Sequence, residues 1–174
     1  LPERPLRVYD LIQQLAIVDD DVLQRFGVDT TELGRAFCRE DRFWKPWRLP
    51  DGSDCFIPAW LDVRKEGDDW LLYSPSGRAV GVQKAGSLYF EQIHWPFQEG
   101  VPEDLTDLPE VMKNTMWAQP GPPGPGVDPA TLAAGARDLR ASTDRAILFL
   151  FGGNLLEWGQ FLCRNDNFFL LLAG

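Results

Sequence analysis

The chain has 174 residues, and its 26 acidic against 17 basic side chains give a formal net charge of −9. That length is enough for one substantial hydrophobic core, and the acidic balance argues against a surface built for nucleic-acid phosphates or anionic lipid. The longest apolar stretches, AILFLFGG and FFLLLAG, fall well short of the roughly twenty residues that span a bilayer, so neither nucleic acid nor membrane is an expected partner.

Residues 1–43 carry a helical pattern. In RVYDLIQQLAIV, Val8, Leu11, Ile12 and Leu15 recur at helical spacing while Asp10, Gln13 and Gln14 supply a polar face. The following DDDVLQRFG opens with acids suited to a helix N-terminus and closes on Gly27, which suits a left-handed C-terminal position. A short turn of helix is expected through TELGRAF, capped by Thr30 or Thr31. Arg35, Arg39 and Arg42 in GRAFCREDR read as surface charges.

From 44 to 98 the signal changes to strands and turns. FIPAWLDV, DWLLY, AVGVQ and SLYFEQI are short, rich in β-branched and aromatic residues, and separated by the turn formers KEGD, SPSGR and KAG. The intervals are too short for crossover helices, so an antiparallel meander is expected. Residues 99–128 form a proline-rich connection; its GPPGPG lacks the sustained glycine period of collagen and reads as a stiff extended link.

Over 129–174 a helix starts at Pro129, capped by Asp128, with Leu132, Ala133, Ala136 and Leu139 as its apolar face. AILFLF, from 146 to 151, is a continuous apolar run suited to a strand buried on both faces. After Gly152 and Gly153, Asn154 can cap a helix and Glu157 can close a capping box; Leu155, Trp158, Phe161 and Leu162 recur on its apolar face. Asp166 can cap a further turn carrying Phe168, Phe169 and Leu172.

A strand, two glycines and a helix invite a nucleotide-binding reading, but FGGNLLEWG lacks the GxGxxG spacing and any following acid at the required distance, and no Lys-Ser or Lys-Thr opens the helix. The three cysteines, Cys38, Cys55 and Cys163, lack the spacing of a metal cluster or redox pair. They read as reduced, buried thiols of a cytoplasmic protein. No basic segment precedes an early apolar run, so no secretory signal is expected.

RVYDLIQQLAIVDDDVLQRFGVD, YFEQIHWPF and DRAILFLFGGNLLEWGQFLCRNDNFFLLLAG, in that order, resemble the uroporphyrinogen decarboxylase superfamily, nearest to its corrinoid-dependent methyltransferase and decarboxylase-like branches. The resemblance implies an α/β fold: N-terminal helices and a small antiparallel meander, then the first βα unit of a TIM barrel, with 146–151 as strand and 155–163 as helix. The barrel would be incomplete in this chain, leaving the remainder of its own barrel as a partner and the chain alone inactive. Two reactions are implied. One is methyl transfer between a small methylated compound or thiol and a corrinoid on a separate protein, with zinc as the Lewis acid of the full-length enzyme; no cofactor is expected in this chain. The other is decarboxylation of a tetrapyrrole's acetate side chains, although the RQAGR-type signature of that enzyme is not present.

On this reading Gly152, Gly153, Asn154 and Glu157 stand at the C-terminal end of the first barrel strand, where barrel active sites assemble, and are substrate-binding candidates. His94, beside Glu91 and Trp95, is a further candidate for the mouth of a small-molecule site, with a strand-end hydrogen bond as its simpler role. The run Asp19, Asp20, Asp21 suits a cation or a solvated helix start. The different-class reading is a non-catalytic α+β interaction domain.

Overall fold

The computed structural model describes residues 5–119, 127–149 and 154–174. It is a mixed α/β architecture of helices and three separate sheets, of four, two and four strands, among the described residues. In chain order the elements are β1 (Leu6–Asp10), β2 (Leu15–Ala16), α1 (Asp20–Arg25), β3 (Thr30–Glu32), β4 (Trp44–Arg48), β5 (Asp54–Pro58), β6 (Asp62–Glu66), β7 (Asp69–Tyr73), β8 (Ala79–Gln83), β9 (Glu91–Gln92), α2 (Leu108–Met112), α3 (Pro129–Ser142), β10 (Ala146–Leu148), α4 (Leu155–Cys163) and α5 (Asn165–Ala173). Short 3-10 turns occupy Leu33–Ala36, Asp41–Phe43 and Met116–Ala118. The chain divides into two compact units, Leu1–Trp60 with Pro120–Phe151, and Leu61–Gln119 with Gly152–Gly174.

In the first unit the sheet order is β2-β1-β5-β4. The expected first helix is instead a strand hairpin: β1 pairs antiparallel with β2, Val8 opposite Ala16, and parallel with β5, Leu6 opposite Cys55. Two physical reasons favour this outcome. The Asp10 carboxylate accepts from the Gln13 backbone N–H at 3.0 Å and from its side-chain amide at 2.8 Å, and Gln14 sits at φ 57°, so the chain turns where a helix would continue. The helically spaced Val8, Leu11 and Ile12 are all buried, so the spacing reports burial from a strand and its turn as well as it would from a helix.

α1 forms as the sequence indicates and ends in a Schellman arrangement. Gly27, at φ 63°, donates to Gln24 O at 3.2 Å, and Val28 donates to Leu23 O at 2.9 Å. TELGRAF splits into strand β3 and a 3-10 turn, capped not by a threonine but by Glu32, whose carboxylate accepts from Gly34 N at 3.1 Å. β4 and β5 form a hairpin; Ile57 at 0% exposure, with buried Val8, Cys55 and Trp44, makes the core of this sheet. α3 starts as expected, with the Asp128 carboxylate accepting from Thr131 N at 2.9 Å. Its buried contacts are Gly135 and Leu139, whereas Ala133 is exposed. β10 runs parallel to β3, Ile147 opposite Thr31. Among the described residues it is not the doubly buried strand expected: Ala146–Leu148 pair in a two-stranded sheet and Leu148 remains 55% exposed, while 150 and 151 of the expected strand lie outside the described residues.

The second unit holds the meander β6-β7-β8-β9, antiparallel throughout. FIPAWLDV therefore contributes to two sheets, β5 to the first unit and β6 to the second, and SLYFEQI pairs with β8 through Glu91 and Gln92, with Ile93 N donating to Val80 O at 3.0 Å. Met116 and Thr115 are buried beneath the meander, and a side chain at Gly81 would meet the Met116 Sδ at 2.8 Å. α4 occupies the residues its periodicity marks. It is tied to the meander by Phe97 N donating to Leu162 O at 2.8 Å, and Trp117 stacks on Phe161 with ring centroids 4.9 Å apart.

Candidate functional site

The first unit encloses a cleft of about 650 Å³. Four arginines line it: Arg7 from β1, Arg35 from the turn after β3, Arg39, and Arg145 just before β10. Asp19 and Asp20 at the start of α1 face them, with Ser142 and Thr143 at the end of α3. A chain of net charge −9 thus concentrates cationic side chains in its largest described cavity.

Arg35 is the least solvated of the charged groups paired there, its side chain 16% exposed. Its Nη1 donates to Asp20 Oδ1 at 2.9 Å, whereas its Nη2 is buried with no hydrogen-bond partner among the described residues. A buried donor left unmade costs about 1 to 3 kcal/mol, more on a charged group. Arg145 is oriented by its Nε, which donates to Val28 O at 3.0 Å, and its Nη1 reaches the same Asp20 oxygen at 3.4 Å. Arg140 in turn donates to the backbone oxygens of Thr143 and of Arg145, the latter at 2.8 Å, which fixes the end of α3 against the start of β10. Arg7 lies over the Trp44 ring, 5.3 Å from its centroid, and bridges Arg39 O at 3.0 Å to Asp41 at 2.7 Å. Planar guanidinium forks in this arrangement suit a carboxylate or phosphate bound through paired hydrogen bonds.

Reading Arg35 as a surface charge is therefore corrected, since the turn after β3 carries it to the cleft; Arg39 is exposed, as read, and borders the cleft while its Nε donates to Arg35 O at 2.9 Å. Arg42 is an exposed side chain paired with Glu40 at 2.9 Å. The acidic run at α1 supplies Asp20 as an arginine partner.

His94 follows β9, half-buried, and its backbone oxygen accepts from Gln92 Nε2 at 2.7 Å. The same amide donates to Phe161 O at 2.7 Å, linking this strand end to α4. Burial, then the Arg78 charge, lowers the imidazole pKa. Asn154 and Glu157 are exposed at the start of α4; Asn154 holds the cap position without a side-chain cap bond, and its amide donates to the Glu157 carboxylate instead. The structure thus brings Asn154 and Glu157 together as a side-chain pair, not a capping box. Gly152 and Gly153 lie outside the described residues. None of the described candidates lines the arginine cleft. The signal that would have marked the cleft is RAFCR, two arginines four residues apart beside an acidic segment.

Zinc, which the methyltransferase branch implies, finds no fit among the described residues: no group of three or more His, Cys, Asp or Glu could hold a metal ion. Cys38, Cys55 and Cys163 are buried, and burial raises each thiol pKa, that of Cys55 to about 11 with help from Asp51 and Asp54. That direction disfavours the thiolate a metal or a nucleophilic reaction needs. Among the described residues no helix is long and apolar enough to cross a membrane. Comparison of the chain with protein-family models, curated proteins and solved structures finds no match.

Proposed function

We propose that the chain serves an enzyme of the uroporphyrinogen decarboxylase superfamily and that its arginine cleft receives a carboxylate of a small-molecule substrate. The observation that carries this reading is the convergence of Arg7, Arg35, Arg39 and Arg145 on one cleft. Decarboxylation of a polycarboxylate requires its non-reacting carboxylates to be anchored while carbon dioxide leaves, and preorganised guanidinium donors supply such anchors. We therefore rank decarboxylation ahead of methyl transfer to or from a corrinoid. Within this reading Ala146–Leu148 is the strand that further barrel strands flank, which accounts for the exposure of Leu148.

The test uses uroporphyrin, a fluorescent carboxylate-rich probe, against its fully esterified methyl ester, which keeps the ring and loses the charges. Uroporphyrin is expected to bind and the ester not, and Arg35→Gln is expected to weaken binding by about tenfold or more. Equal binding of probe and ester, or an Arg35→Gln affinity equal to that of the parent chain, would overturn the proposal. Corrinoid-dependent demethylation by a zinc-loaded full-length enzyme would replace the reaction class.

A further inference from the structure

A second cavity, of about 230 Å³, adjoins the arginine cleft and shares Ile17, Thr31 and Arg35 with it. Its wall is largely apolar, with Leu23, Val28 and Leu148 among the contributing side chains. Glu32, which also borders it, has its carboxylate turned to Gly34 N at 3.1 Å. Arg35 therefore stands at the junction of a cationic compartment and an apolar one. On the cationic side an internal carboxylate already occupies the arginines: Asp20 Oδ1 lies 2.9 Å from Arg35 Nη1 and 3.4 Å from Arg145 Nη1, yet Asp20 is 80% exposed. So well hydrated a group is weakly held.

We infer that this double cavity binds an amphipathic carboxylate, one carboxylate of which replaces Asp20 across Arg35 and Arg145 while an adjoining apolar arm fills the compartment walled by Leu23, Val28 and Leu148. The inference rests on the cleft's receiving carboxylates and adds what is attached to them. The exchange is an ion-pair swap without covalent change. An incoming carboxylate can give one oxygen to Arg35 Nη1 and the other to Arg145 Nη1, where Asp20 offers both the same Oδ1, and this geometry drives the replacement. Asp20 then returns to water, to which it is already largely open.

Calorimetric titration of the whole chain with acetate, hexanoate, octanoate and octan-1-ol tests the proposal. Transfer of methylenes from water predicts octanoate to bind about tenfold or more tightly than acetate, and octan-1-ol about tenfold or more weakly than octanoate. Asp20→Asn, which removes the competing carboxylate, is expected to tighten octanoate by about two- to fivefold. Leu148→Ser, at an exposed strand position, is expected to narrow the octanoate-to-acetate ratio. Acetate and octanoate binding equally would sink the amphipathic ligand while leaving carboxylate recognition standing. Octan-1-ol matching octanoate, or an unchanged affinity in Asp20→Asn, would sink the swap at the arginines. Failure of every carboxylate to bind would remove the underlying functional reading as well.

Discussion

Arg35 and His94 meet burial in different ways. Arg35, its side chain 16% exposed, donates from Nη1 to Asp20 at 2.9 Å. His94 can shed its proton, and burial with the Arg78 charge lowers its pKa below the ordinary 6.5. The unfolded chain then binds the proton more readily than the folded one. Stability is accordingly full above the unfolded pKa and declines as pH falls from about 6.5 towards the folded value. A urea midpoint measured from pH 7.5 to pH 5 should fall, and His94→Gln should flatten that part of the slope; an identical slope in the variant would remove His94 as its source. The cysteines give a second residue-scale prediction. With burial raising all three thiols, iodoacetamide near pH 8 should modify the native chain far more slowly than the urea-unfolded chain. Mass spectrometry would count the adducts, and rapid native labelling at Cys55 would contradict its buried environment.

Among the elements, those set by local chemistry were legible and those set by distant partners were not. The meander hairpins follow from glycines able to adopt positive φ, Gly67, Gly77 and Gly86, between short β-rich runs. α1, α3 and α4 follow from acidic starts, a proline in the first turn and helical periodicity. β1 was not legible, because Val8, Leu11 and Ile12 fit either geometry and the decision comes from pairing with β5, some fifty residues later. β10 was over-read, because a continuous apolar run says what a strand can bury and not what is present to bury it. At the junction of α4 and α5 a further requirement emerges that neither helix shows alone. A Cβ at Gly159 would run into the Phe168 ring, so this glycine is needed for helix approach despite its low helix propensity. Gly159→Ala should gain about 1 kcal/mol of propensity and lose about 1 to 3 kcal/mol to overpacking. A net loss in urea unfolding is expected; a stabilised variant would show that the ring moves aside freely.

For the molecule as a whole, the arginine cleft is a product of topology. Positions 7, 35, 39 and 145 converge because β1 joins the first sheet and β10 returns to pair with β3, and no spacing rule in the sequence joins residue 145 to the others. Negative charge spread over the chain coexists with a cleft at which four of the seventeen basic side chains meet. The meander hairpins connect neighbours, whereas β3 and β10 connect residues over a hundred positions apart, and short-range contacts form first when loop closure limits the rate. Pulse-labelled hydrogen exchange during refolding should therefore protect Leu72 and Val82 amides before that of Ile147; simultaneous protection would contradict this order.

The return of β10 to β3 also sets a schedule during synthesis. Arg35 leaves the ribosome with its unit still missing α3, β10 and Arg145, and elongation supplies them only roughly four to seventeen seconds after residue 60. Through that interval Asp20 and Arg35 are a short-range pair within an unfinished unit, Arg145 is not yet there to share the carboxylate, and the proposed capture of a cellular acid must wait for translation to pass residue 145.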